Sequence, residues 1–485
     1  MFLGVDIGTS AVKVVAVDGS GNVADQVAET LTVQRPGPLM SEQDPAQWWS
    51  ATRLAIERIP AATRARIQAI GLTGQMHGAT LLDGAGAVIR PAILWNDGRS
   101  ARQCAELEAR VPRLGEITGN AAMPGFTAPK LLWLQQHEPE SFARMKTTLL
   151  PKDYVRLRLT GDLATDMSDA AGTLWLDTRA RSWSEAMLDA CNMTQANMPT
   201  LFEGSDPTGV LRAELAQAWG MARVPVAAGG SDNAAGAVGS GTVRAGAATL
   251  SLGTSGVIFV ADTTYRACPA RGVHSFCHAL PGRWHQMSVM LSTASAVDWV
   301  ATIAGYAGAQ ELCAAAAARN RPNERELFLP YLTGERTPHN NPHAQGVFFG
   351  LTPATDQVAL AQAALEGVAF ALADGLEALL AAGAQIETLS VIGGGAQSAY
   401  WGRILSSVFD RPLIYRQAGA VGPAYGAARL ARLALTREDI DAVCETPPIT
   451  AEILPSPGLR DQLAARHVLF RSLYTHLLPL FQENG

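Results

Sequence analysis

The sequence predicts an α/β protein built of two similar halves that face each other across a cleft. Three observations predict it. The phrase GVDIGTSAVKVVAV at residues 4–17 returns in altered form as TLSLGTSGVIFV at residues 249–260. Strand-like apolar runs alternate with helical periodicity in both halves. At 485 residues the chain exceeds one ordinary core, so two units of about 250 residues are expected.

Residues 1–18 and 22–34 read as strand-like segments around turns at Asp18-Gly19 and Ser20-Gly21, an antiparallel opening to the first half. In the repeated phrase, Gly8-Thr9-Ser10 and Gly253-Thr254-Ser255 form the turns of two hairpins, where backbone N–H groups and small hydroxyls suit phosphate oxygens. Asp44 is the N-cap of a helix with Pro45 in its first position, and Trp48, Trp49, Ala55, Ile56 and Ile59 build one apolar face. Residues 67–72 read as a buried strand entering the turn at 73–78. Three strands, a helix and a further parallel strand are the layout of a ribonuclease H-like domain. The second half repeats it, with hairpins from residue 247, an alanine-rich helix over 356–382 and a strand over 388–392. That strand enters Gly393-Gly394-Gly395, ahead of a helical segment carrying Tyr400, Trp401 and Ile404. Such a strand-glycine-helix junction brings a ligand close to bare backbone, and a tight packing turn would use the same residues. The boundary falls between 245 and 246, where Gly236, Gly239, Gly241 and Gly246 make the chain pliable. The expected units are 1–245 and 246–485.

With 48% apolar residues both halves can bury large cores, and a net charge of −6 without a basic run excludes nucleic acid as the main partner. No stretch of apolar residues is long enough to span a membrane. The opening apolar run is broken by Asp6, so no secretory leader is expected and the chain is assigned to the cytoplasm. Six cysteines without a CxxC pair are expected to be reduced thiols.

Asp6 stands one residue before the first turn, inside a strand that should be buried, and asks for compensation by a cation, water or hydrogen bonds. Beside a triphosphate the partner would be Mg²⁺, which takes carboxylate and phosphate oxygens. A turn-satisfying aspartate is the alternative. In VPVAAGGSDNAAGAVGSG at 224–241, Asp232 is surrounded by Gly and Ala, which clears room for a substrate hydroxyl and suits a general base in phosphoryl transfer. An N-cap role for Asp232 remains open. Gln75-Met76-His77 and Leu94 to Arg99 both follow strands, where open α/β sheets place ligands, and their mixture of polar and apolar side chains suits a sugar. His77 could equally be a core histidine. His274, Cys277 and His278 are close enough to suggest zinc, but on one strand they would not converge and no fourth ligand is near. No GxGxxG follows the first strand, which excludes a dinucleotide-binding dehydrogenase.

Taken in order, the two Gly-Thr-Ser turns, the strand-end aspartates and the glycine triplet resemble the actin-like ATPases and sugar kinases, in particular the FGGY carbohydrate kinases. The likeness runs from Phe2 to about Leu435. It rests on GQMHGATLLD (74–83), PAILWNDGR (91–99), MPGFTAPKLLWL (123–134), LLPKDYVRLRLTG (149–161), DMSDAAGTLWLD (166–177), YLTGERTPHNN (331–341) and GVFFGLT (346–352). The resemblance implies two ribonuclease H-like domains of the actin/hexokinase type flanking a central cleft, and ATP-dependent phosphorylation of D-xylulose. It places the catalytic base on Asp232, and the acidic residue that works with magnesium and phosphate on Asp6. Ketose contacts fall on Met76, His77 and Asn233. The phosphate loops fall on Gly8, Thr9, Ser10, Gly253 and Thr254, and the adenosine region on Gly394, Gly395 and Ser398. Glu335-Arg336-Thr337-Pro338 belongs to a family segment with no assigned roles. A different ketopentose, a deoxyketose or a polyol stays open as acceptor, as does a catalytically silent nucleotide-dependent binding protein. A homodimer is implied by the resemblance alone.

Overall fold

A computed structural model describes residues 1–320, 325–417 and 422–483. Two seven-stranded sheets organise it. The first contains β1 (Phe2–Ile7), β2 (Ala11–Val17), β3 (Val23–Thr30), β4 (Ala69–Gly74), β5 (Pro207–Val210), β6 (Pro225–Ala227) and β7 (Gly230–Ser231), in the order β5-β6-β4-β1-β2-β3, with β7 also on β4. The second contains β8 (Ala247–Leu252), β9 (Gly256–Asp262), β10 (His274–Cys277), β11 (Trp284–Met290), β12 (Thr388–Ile392), β13 (Leu413–Arg416) and β14 (Ile449–Ile453), in the order β10-β11-β9-β8-β12-β13-β14. In each sheet an antiparallel hairpin carries the Gly-Thr-Ser turn, its first strand pairs in parallel with a later one, and an antiparallel strand closes the far edge. The repeated phrase is therefore a repeated topology.

Local chemistry accounts for these elements. β1 is buried on both sides, which its run of apolar residues and parallel pairing to β4 allow. β3, at the sheet edge, alternates half-buried and exposed residues. Helix α1 (Pro45–Arg58) starts as its sequence predicts, with the Asp44 carboxylate accepting from the Ala46 N–H. Its Trp48 and Ile56 pack with Leu3, Val5 and Ile7 on one face of the first sheet, joined by Tyr154 and Val155 of α2 (Pro151–Thr160). Helix α3 (Asp232–Ser240) follows β7. In the second half, α4 (Ala294–Ile303) follows β11, and α5 (Gln357–Ala381) is buried along nearly its whole length. The buried acids of α5 are met from α8 (Pro457–Glu483): Arg466 Nε lies 2.7 Å from Glu366, and Arg471 Nε 2.6 Å from Asp374. Between them stand α6 (Ala399–Phe409), capped by Ser398, and α7 (Pro423–Thr436).

Helix α7 crosses over. It lies on the face of the first sheet opposite α1, in contact with β1, β4 and α3. Glycines permit this: a Cβ at Gly4 would stand 1.9 Å from the Ala424 carbonyl oxygen, one at Gly71 1.8 Å from that of Ala427, and one at Gly426 1.8 Å from that of Ala235. Phe2, Val17 and Ala69 are buried with Tyr425, Ala428 and Ala431 at this crossing. A second contact joins the halves where Phe259, Phe276 and Met287 of the second sheet share one core with Met76 and Phe126 of the first half.

Candidate active site

The two Gly-Thr-Ser turns are held in different ways. In the first, Thr9 Oγ1 donates to Gln75 Oε1 at 3.0 Å and accepts from Trp95 Nε1 at 3.0 Å, while Gln43 Nε2 donates to the Thr9 carbonyl at 2.7 Å. The hydroxyl expected to be free is thus already bonded, and the Gly8 N–H closes the turn onto the Ala11 carbonyl at 3.1 Å. Ser10 is exposed. In the second turn, the Thr254 carbonyl accepts from the Thr293 N–H at 3.0 Å and from Ser295 Oγ at 2.8 Å. That pins the turn to the start of α4 and leaves the Thr254 and Ser255 side chains exposed.

Between the halves lies a cavity of about 270 Å³. Met76, His77, Asp232 and Asn233 border it from the first half, and Ser255 and His274 from the second. Trp95 also lines it and donates to Thr9, so the second turn borders the cavity through Ser255 and the first stands one residue behind its wall. Asp232 is the first residue of α3. Its Oδ1 accepts from the Asn233 N–H at 2.7 Å and from Asn233 Nδ2 at 3.0 Å. It is not an N-cap; Ser231 holds that position. Burial pushes the Asp232 carboxyl up to about 6, against the Asn233 hydrogen bonds that hold it down. Asp6, 8% exposed, ends on the α7 side of β1 and opens on a groove of about 420 Å³ with Lys13, Gly422 and Pro423. Burial, and then the charge of Asp232, push Asp6 up to about 7, with Lys13 opposing. Asp6 thus opens on the groove and Asp232 on the cavity, close enough for the charge of Asp232 to bear on Asp6.

His77 is held under constraint. Its φ of 69° is unusual for a residue with a side chain. Lys130 Nζ donates to its carbonyl at 2.8 Å and Thr127 Oγ1 at 3.2 Å, while its ring Nδ1 meets the Gly172 carbonyl at 2.6 Å. Burial and the charge of Lys130 hold the ring well below the usual histidine range, so it is neutral. Gly393 adopts φ 94° against the Leu252 carbonyl, and β8 and β12 pair through Ser251 and Ile392. Gly394 and Gly395 therefore sit beside the second turn, and Ser398 Oγ caps α6 by accepting from the Trp401 N–H at 3.2 Å. They lie away from the cavity that Asp232 borders.

Residues 1–239 match the N-terminal domain of the FGGY family of carbohydrate kinases, and residues 248–435 match its C-terminal domain. The chain belongs to that family. It is 54% identical over 482 residues to the xylulose kinase of Escherichia coli K12, covering 99% of this chain and 100% of that protein. It is 51% identical over 482 residues to the xylulose kinase of Klebsiella pneumoniae, with the same coverage. Its fold superposes on the xyloylose kinase of Brucella ovis with a TM-score of 0.96 at 48% identity, over 99% of each chain. The protein is an enzyme, a sugar kinase with the actin/hexokinase-like fold.

In this carbohydrate kinase several residues chosen from sequence prove to be scaffold. Gln75 braces the first turn through Thr9, the Gly8 carbonyl and Gln43. Asp97 accepts from the Ser41 N–H at 2.6 Å and pairs with Arg99 at 2.8 Å, which in turn reaches Glu42 at 2.7 Å; from that segment only Trp95 borders the cavity. His274, Cys277 and His278 form no metal centre: among the described residues no group of three such side chains could hold an ion. All six cysteines are free thiols.

Missed from sequence is a buried ionic cluster beneath Asp232. Lys152 Nζ lies 2.6 Å from Asp153, 2.9 Å from Asp166 and 3.3 Å from Asp169, all fully buried. Arg156 donates to the carbonyls of Ala227, at 2.8 Å, and Ala228. Ser168 Oγ donates to Asp166 at 2.5 Å and accepts from the Ser231 N–H at 2.9 Å. This cluster anchors the strand end that delivers Asp232. Its acids were visible in LLPKDYVRLRLTG and DMSDAAGTLWLD, but nothing local in the sequence tells a buried ion pair from a solvated one.

Proposed function

We propose that this kinase transfers the γ-phosphoryl group of ATP to the terminal hydroxyl of D-xylulose, giving ADP and D-xylulose 5-phosphate. The observation that carries this reading is the cavity shared by both halves, with Asp232 on its wall beside Met76, His77 and Asn233. High identity to two xylulose kinases supports the choice of sugar. Asp232 is the general base. The transition state of phosphoryl transfer is loose, so the carboxylate needs to orient the hydroxyl and accept its proton late, which a group near 6 does at neutral pH. The turn of Gly8, Thr9 and Ser10 on one side, and that of Gly253 and Thr254 on the other, receive the phosphates through backbone N–H groups other than that of Gly8 and through the exposed hydroxyls of Ser10 and Thr254. Gly394, Gly395 and Ser398 take the adenosine end.

Asp6 fits as the protein's carboxylate for Mg²⁺. Its raised carboxyl opens on a groove, and Mg²⁺ characteristically binds one or two carboxylates with substrate phosphates and water. When bound, the ion supplies positive charge to the phosphate oxygens. Domain closure excludes water that would otherwise compete with the sugar. We further assign residues 1–245 and 246–485 as the two domains, a cytoplasmic location, and a homodimer in which Val468, Leu469 and Leu480, exposed on α8, contribute to the interface. The test is a panel of ketopentoses, deoxyketoses and polyols in a coupled ADP-release assay. The reading expects the highest kcat/KM with D-xylulose, and a better acceptor of another class would overturn it.

A further inference from the structure

One cation on the cavity wall has no partner among the described residues. The Arg336 guanidinium lines the cavity, and among the described residues it makes no hydrogen bond or ion pair. Its backbone is fixed. Glu335 Oε1 accepts from the N–H groups of Leu291 at 3.0 Å and Arg336 at 2.7 Å, while the Thr337 N–H donates to the Val289 carbonyl and Thr337 Oγ1 accepts from the Val289 N–H, both at 3.1 Å. This stitches residues 335–337 to the end of β11. Burial pushes the Glu335 carboxyl up to about 8, with its backbone hydrogen bonds and the charge of Arg336 opposing. A half-buried arginine lining a binding cavity, its guanidinium without a partner among the described residues, is suited to meet an acceptor on the ligand.

The groups around it are acceptors. Gly172 offers only a carbonyl to His77, so Nδ1 carries the proton and Nε2 presents a lone pair. Asn120 Nδ2 donates to the Thr118 and Ser275 carbonyls at 3.0 and 2.9 Å, which makes its Oδ1 the acceptor for His274 Nδ1 at 3.1 Å. His274, 3% exposed, therefore also turns a lone pair on Nε2 to the cavity, and this nitrogen has no partner. The cavity wall thus carries Asp232, which takes a proton from the reacting hydroxyl. It also carries a strong donor, Arg336, and two neutral acceptors, His77 and His274.

We propose that Arg336 recognises the keto group: its guanidinium donates to the C2 carbonyl oxygen of the bound ketopentose, while Nε2 of His77 and of His274 accept from hydroxyls flanking that carbon. This deepens the function proposed above and rests on it for the substrate class. Arg336 is then a binding and specificity residue, delivered by the second half to a sugar seated mainly on the first. A pentitol replaces the carbonyl acceptor by a hydroxyl, which meets a donor fork less well.

The test compares D-xylulose with D-arabinitol and xylitol, its two C2-reduced forms, in wild type, Arg336→Met and Arg336→Lys. Sugar affinity is measured by calorimetry without nucleotide, and kcat and KM with MgATP. Arg336→Met should weaken D-xylulose binding and raise its KM by about 10- to 100-fold, the worth of a hydrogen bond to a charged donor. Pentitol affinities should change less than threefold, so discrimination collapses, and Arg336→Lys should restore part of it. Equal losses on ketose and pentitols, or unchanged ketose affinity, would overturn the proposal. If wild type phosphorylates no ketopentose, the proposed function fails, while the calorimetric comparison still decides the role of Arg336. A misfolded Met variant would show as a lowered melting point, and the Lys variant then carries the comparison.

Discussion

The basicity of Asp232 is adjustable through one side chain. Burial pushes this carboxyl from 3.8 to about 6, and the two hydrogen bonds from Asn233 restrain the rise. Asn233→Ala keeps the backbone N–H at 2.7 Å and removes the amide at 3.0 Å. A hydrogen bond to a charged acceptor is worth about 1.5–3 kcal/mol; the lower figure suits a carboxylate that is partly solvated, and at about 1.4 kcal/mol per pH unit it predicts a rise of about one unit. The sign follows from the chemistry. A base must be deprotonated to act, so a higher pKa leaves less active enzyme at a given acidic pH. The assay is the pH profile of kcat/KM for the sugar at saturating MgATP. Wild type should lose activity on an acid limb near 6, falling about tenfold per unit below it, and the variant's limb should lie about one unit higher. Asn233 also borders the cavity, so its loss lowers the whole curve, but a vertical drop leaves the position of the limb unchanged. A limb that stays in place, or moves to lower pH, would refute Asp232 as the titrating base tuned by Asn233.

Other expectations concern turnover and stability. Asp232→Ala should lower kcat roughly 10²- to 10⁴-fold, the usual worth of a positioned base, with ATP affinity by titration nearly unchanged; wild-type-like turnover would remove Asp232 from the mechanism. Lys152→Met leaves Asp153, Asp166 and Asp169 buried without their shared cation and should destabilise the fold by on the order of 3–5 kcal/mol in denaturant unfolding. Gly71→Ala puts a methyl group 1.8 Å from the Ala427 carbonyl oxygen, a backbone atom that cannot rotate away. It should cost about 1–3 kcal/mol or more and lower the melting temperature, whereas Gly86→Ala, in open space at a surface turn, should act only through its own backbone strain.

Much of this arrangement was legible in the chain. Period and punctuation are local signals, so the two hairpins, the Asp44-capped helix, the long helix of the second half and the strand before the glycine triplet all appear where they were expected. Asp6 and Asp232 stood out because a carboxylate in an apolar strand, or in a run of Gly and Ala, needs a reason. What stayed hidden depends on partners far away in sequence. The Thr9 hydroxyl is taken up by Gln75 and Trp95, Asp97 belongs to Ser41 and Arg99, and Lys152 gathers acids from two segments. Arg336 sits in a phrase that marked the family, yet its place on the cavity wall depends on the end of β11, some distance up the chain. No property of residue 336 itself announces that.

The crossing of α7 has a consequence for how the molecule is made. During synthesis the first sheet emerges from the ribosome early, with Gly4, Gly71, Phe2 and Ala69 on the side that α7 covers in the finished fold. Its lid is translated only after the second sheet is almost complete. The N-terminal half must therefore wait unfinished, and a gene severed at the midpoint would leave one product naked and the other holding a helix with nowhere to dock.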